Sequence, residues 1–206
     1  MRSIAQAAGA ARQVAVAACL LCVAAGAPAG VLDFLFGSSK EASTKQAPDS
    51  RRRTWHVSEF TGVRVVPAES GAAANSQPVN LSTNLVRDLL NQVRVPGPGN
   101  GEALFGREEL DELLEPISEA LQVAGPREDV LVVSSNRRGG GLLSMPMAVT
   151  ARLFVAGDKL NLIVHDTRYD FFGLYRGANK QPEFVYGSRS AASSAAIDRP
   201  GAVRRR

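Results

Sequence analysis

The chain has 206 residues, of which 45% are hydrophobic, with a net charge of +4 and a pI near 9.4. Its only two cysteines, Cys19 and Cys22, lie in the first 29 residues. A protein that loses this segment has no disulfide, no thiolate metal site and no cysteine nucleophile. The basic pI is no mark of nucleic-acid binding. Residues 54–187 carry 12 Lys and Arg against 16 Asp and Glu; the positive excess sits in Lys40, Lys45, Arg51, Arg52 and Arg53 before them and in Arg189, Arg199, Arg204, Arg205 and Arg206 after them. A nucleic-acid-binding domain carries its basic stripe on the folded body.

Residues 1–29 contain no Asp or Glu. Arg2 and Arg12 precede an apolar run from Val14 to Ala25, and small residues follow at Gly26, Ala27, Ala29 and Gly30. This order is that of a bacterial export signal. Cleavage is expected after Ala29, with Ala25 as the second position, which places the mature protein in the periplasm or outside the cell. The run is shorter than the roughly twenty residues of a spanning helix, so an uncleaved N-terminal anchor is the less favoured route. Val16-Ala17-Ala18-Cys19 also has the form of a lipoprotein signal, in which lipid on Cys19 anchors the protein to the membrane.

Residues 30–53 read as a linker, polar from Gly37 to Arg53 and opening on the short apolar stretch Val31 to Phe36. Thr54 to Val66 is β-rich, with Gly62 as an expected bulge. Residues 67–80 are turn-rich. Ser82 or Thr83 offers an N-cap to a helix whose apolar face is Leu85, Leu89, Leu90 and Val93. A Pro/Gly run from Pro96 to Gly101 ends it. The next segment is the clearest helix in the chain: Leu110, Leu113, Leu114, Ile117, Leu121 and Ala124 form one stripe, and acidic residues occupy the rest as a solvated face. Pro116, which lacks a backbone donor, predicts a kink or restart.

Val130 to Val133 reads as a buried strand. Asn136 to Gly141 is a flexible connection; it resembles a phosphate loop only in its glycines, because a strand and not a helix follows it. Met147 to Ala156 and Lys159 to Arg168 flank Gly157-Asp158, a two-residue turn with Gly where positive φ is needed. That loop fixes the register as Val155 with Leu160, Leu153 with Leu162 and Ala151 with Val164. The six side chains share one apolar face, leaving Thr150, Arg152, Phe154, Asn161, Ile163 and His165 on a mixed one. A last strand is expected near Phe184 to Tyr186, and residues 188–206 read as a disordered basic tail. The fold class is α+β: two helices on one face of a mostly antiparallel sheet, with disordered N- and C-terminal extensions, the domain proper being residues 54–187.

No stretch carries a motif strong enough to name a reaction. There is no nucleophile elbow and no Ser-x-x-Lys, and His56 and His165 lack metal-ligand spacing. No catalytic, cofactor or metal residue is assigned. His165 and Asp166 are neighbours in a strand and point to opposite faces; His165 is able to act with His56 or Glu59 only if the first strand lies beside the hairpin. The segment 169–177 is aromatic-rich, and Phe171, Phe172 and Tyr175, with Arg137 and Arg138, are the candidate partner-binding residues. The expectation is an exported, non-enzymatic binding or accessory domain of the cell envelope. Its partner is a protein of the envelope, with weak anionic-membrane contact through the basic ends and no nucleic acid. The alternatives are a lipoprotein anchored at Cys19 and a periplasmic hydrolase-type enzyme using His165 and His56.

Overall fold

A computed structural model describes residues 49–138, 144–191 and 195–199. The signal, its cleavage sites, Cys19, most of the linker and Gly139 to Gly141 lie outside the described residues. The fold is α+β. Strands β1 (Thr54–Ser58), β2 (Thr61–Pro67), β5 (Glu128–Arg137), β6 (Pro146–Ala156) and β7 (Lys159–Tyr169) form one antiparallel sheet in the order β1-β2-β5-β6-β7. Between β2 and β5 come helix α1 (Thr83–Leu90), the short hairpin of β3 (Arg94–Val95) and β4 (Glu102–Ala103), and helix α2 (Arg107–Val123). Helix α3 (Phe172–Ala178) follows β7.

The β6–β7 hairpin forms in the expected register: Val155 faces Leu160, Leu153 faces Leu162 and Ala151 faces Val164. Gly157 supplies the positive φ, at 62°. The apolar face of this hairpin shares one core with Leu110, Leu113, Leu114, Ile117 and Leu121 of α2. Leu114 is buried and Leu162 only half-buried, because α2 lies directly over β1, β2 and β5.

Several expectations change. Residues 54–66 are not one bulged strand but two strands reversing at Glu59-Phe60. The register shift falls between His56 and Ser58, and Gly62 serves a different end. A Cβ at Gly62 would meet the Trp55 carbonyl oxygen at 2.7 Å, so glycine lets β1 close onto β2. In α1, Ser82 caps as expected, accepting from the Leu85 amide at 3.2 Å. The buried pair is Val86 and Leu90, with Leu85 exposed; eight residues give room for one i, i+4 pair facing α2.

Helix α2 runs through Pro116 without a restart. Leu113 and Leu114 before the proline and Ile117, Ala120 and Leu121 after it are all buried in the same core. Burial of that order, about 1.5–3 kcal/mol per large side chain, outweighs a proline cost of roughly 3 kcal/mol. No strand forms at Phe184 to Tyr186. Residues 172–190 instead cross the second face of the sheet. They cover Arg152, which donates to the Gly187 carbonyl, and Phe154, which lies under the Arg189 guanidinium; both, with the buried Thr150, belong to the face that sequence pattern alone assigns as mixed.

The domain also extends past the limits read from sequence. Before Thr54, Arg53 donates to the Val123 carbonyl at 2.9 Å and lies 3.6 Å from Glu128, while Arg52 lies 3.5 Å from Glu119. After Gly187, the start of the supposed disordered tail, Ser188, Arg189 and Ser190, is docked on Glu69 and Asp129. The mildly acidic body draws its own basic flanks onto itself. Among the described residues, no helix is long and apolar enough to cross a membrane.

Candidate functional site

The structure divides the five candidate partner-binding residues. Arg138 is a core residue: its side chain pairs with Glu109 and donates to the Leu104 carbonyl at 2.8 Å. Both partners of the pair are buried, at 6% and 3% side-chain exposure. Burial pushes the Arg138 pKa below the ordinary arginine value, and the Glu109 carboxylate opposes that shift. The second oxygen of Glu109 accepts from the Gly106 amide at 2.8 Å, closing the first turn of α2. Arg138 is therefore withdrawn as a partner-binding residue. Glu109, expected on a solvated face, is buried for the same reason. Arg137 is exposed at the end of β5.

Phe171 is 1% exposed and is withdrawn too. Its ring meets Phe60 edge-on at 4.9 Å and Phe184 at 5.4 Å, in a small second core with Ala148 and Val133. This core sits where β6 begins and β7 ends. Phe172 and Tyr175 are half-buried around it. Tyr175 packs edge-on against Phe60 at 4.9 Å and donates its hydroxyl to Glu59 at 2.7 Å. That bond to Glu59 raises the tyrosine pKa.

Helix α3 holds no buried residue. Its rings grip the sheet from one side and leave Leu174 67% exposed on the other. Met145, just before β6, is exposed at the same end of the sheet, and Val185 is exposed next to the anchored Phe184. Three of the four large hydrophobic residues exposed among the described residues thus belong to this neighbourhood; the fourth, Leu85, is on α1 across the sheet. Arg137, Arg176 and Lys180 add exposed cations. Leu174, Met145 and Val185 were missed because a single exposed apolar residue has no sequence signature.

The nominated acid–base residues do not come together. His56 is on β1 and His165 on β7, the opposite edges of a five-stranded sheet. Four strand spacings of roughly 4.8 Å separate them by ~19 Å. Glu59, in the β1–β2 turn, lies beyond the same interval and accepts from Tyr175. The pairing of His165 with Asp166, expected to be impossible, is partly restored. The register jumps from Ala151–Val164 to Thr150–Asp166. This leaves His165 as the extra residue of a bulge and breaks the alternation of faces. His165 Nε2 then lies 4.0 Å from Asp166 Oδ2. Asp166 also accepts from the Thr150 hydroxyl at 3.3 Å.

Both residues open into a shallow groove of about 390 Å³ between β7, Val95-Pro96 and Ala195-Ala196. It adjoins a second hollow of about 470 Å³ along the 95–102 loop, where Arg168 pairs with Glu102. Among the described residues, no group of three or more His, Cys, Asp or Glu is placed to hold a metal ion. A comparison of the chain with protein-family models, with curated proteins and with solved structures finds no match.

Proposed function

We propose that this chain is an exported binding domain of the bacterial cell envelope, maturing at Gly30, that acts without catalysis by docking a partner protein on the α3 surface. The observation that carries the reading is Leu174, 67% exposed on a helix that meets the sheet through its Phe172 and Tyr175 rings. An exposed leucine rimmed by half-buried Phe172 and Tyr175 has the build of an interface anchor. Exposed Arg137, Arg176 and Lys180 around it select a partner face with an apolar recess bordered by carboxylates. The export part of the reading rests on the charge, apolar run and small residues of positions 1–29.

Capture from envelope extract by the full mature chain tests the docking part. Leu174→Asp is expected to lose the captured protein while keeping the fold, and His165→Ala to keep it. Equal capture by Leu174→Asp and the parent chain overturns the reading.

A second reading, a hydrolase-type enzyme centred on His165, is favoured by the approach of Asp166 within the groove. It expects His165→Ala to abolish turnover of the substrate without changing capture.

A further inference from the structure

On the same face of the sheet as α3 but toward the other end of β6, near Phe154 rather than Ala148, the segment after Gly187 lies in a polar receptor. The Arg189 guanidinium donates to Asn75 Oδ1 at 3.0 Å, to Asp129 Oδ1 at 3.1 Å and to the Ala73 carbonyl at 3.1 Å. Its plane lies over the Phe154 ring, 3.9 Å from the centroid. Glu69 Oε2 accepts from the Ser188 hydroxyl at 2.9 Å, the Arg189 amide at 2.9 Å, and the Ser190 amide and hydroxyl at 3.2 Å each. The backbone enters over β7 at Gly187, where a Cβ would meet the Ile163 side chain at 2.5 Å. Every residue of Gly-Ser-Arg-Ser is thus read by a fixed feature of the domain.

The receptor is held in place by residues other than its occupant. Asp129 is fully buried, and its second oxygen accepts from Arg152 at 2.9 Å. Arg152 also lies 3.3 Å from the other oxygen of Glu69 and donates to the Gly187 carbonyl at 2.6 Å. Asn75 is anchored by donating to the Glu128 carbonyl at 2.7 Å. Arg152 thus fixes one oxygen of each carboxylate, and the other faces the segment, Asp129 Oδ1 being held as well by the Asn75 amide, which donates to it at 2.9 Å. With Arg189 in place, two guanidiniums balance two carboxylates; without it, one negative charge is left unmatched in a poorly solvated site. The occupant itself belongs to no strand or helix. It is held by side-chain and capping bonds, as a bound peptide is.

We propose that this face is a recognition site for an arginine side chain in an extended Gly-Ser-Arg-Ser context, filled here by Arg189 and open to the same motif presented by another chain. The planar fork and the aromatic floor fit arginine and not lysine.

The test uses the full chain carrying Arg189→Ala and the peptide acetyl-Gly-Ser-Arg-Ser-amide, with acetyl-Gly-Ser-Lys-Ser-amide as control. The arginine peptide is expected to raise the Tm of R189A saturably, with little effect on the parent chain, whose site is filled, and the lysine peptide to do neither. Should R189A be unfolded, the arginine peptide is expected to restore its folded circular-dichroism signal. No rise and no restoration, an equal rise in the parent chain, or an equal effect of the lysine peptide each overturns the proposal.

Discussion

Arg138, the residue just past the end of β5, and Glu109 in the first turn of α2 form a buried ion pair that ties the sheet to the helix layer. Because Glu109 also closes the start of α2, the pair couples a strand end to a helix cap. Arg138→Ala leaves the carboxylate buried without its partner and is expected to cost about 3–5 kcal/mol. Replacing both with apolar residues of similar volume, Arg138→Met with Glu109→Leu, is expected to recover most of that loss. Chemical denaturation of the three proteins measures it.

Leu114 and Leu162 belong to one core but differ in burial. Leu114→Ala is expected to cost about 2–5 kcal/mol. Leu162→Ala, half-exposed in the parent, is expected to cost clearly less. Comparing their denaturation midpoints at equal slope checks the order of the two; a reversed order would place α2 over the wrong strands.

Gly62→Ala sets a Cβ against a backbone oxygen that has no room to give way. The expected loss is about 1–3 kcal/mol, the range for overpacking. Trp55, the single tryptophan, sits on the strand that must move and donates to Glu119 at 2.6 Å. A change in its fluorescence at low denaturant, ahead of global unfolding, is the expected sign of β1 parting from β2.

Burial alone would raise the pKa of Glu69, but hydrogen bonds from Ser188, Arg189 and Ser190 and the nearby Arg152 charge together lower it below the usual value. A carboxylate with a depressed folded pKa contributes stability that is present above its unfolded pKa, near 4.5, and is lost as pH falls through the folded value. Glu69→Gln removes that contribution. The acid limb of its stability curve, followed by thermal unfolding from pH 6 downward, is therefore expected to be flatter than that of the parent chain.

Local pattern carried the helix and hairpin signals. Gly157-Asp158 marked the β6–β7 turn because a two-residue loop demands positive φ, and the leucine spacing of α2 showed its buried stripe. The β1–β2 reversal was not legible, since Glu59-Phe60 has none of the residues that usually mark a turn. Helix α3 was hidden for a related reason. Gly173 and Gly177 argue against a helix, and ring packing on Phe60 and Phe171 overrides them. Within the candidate site the aromatic segment was legible as a group, but not which ring faced inward, because that depends on Ala148 and Val133 from other strands. The Arg189 receptor left no trace at all: Glu69, Asn75, Asp129 and Phe154 follow no period, and only the closed sheet brings them together.

The most direct measurement places a photo-crosslinking amino acid at Leu174 in the full chain within intact cells, with the same label at Leu85, exposed on the opposite face, as control. The expected result is one discrete protein adduct from position 174, absent from position 85 and lost when Arg176 and Lys180 are changed to Glu. Absence of any adduct at 174, or the same adducts from both positions, contradicts docking through α3.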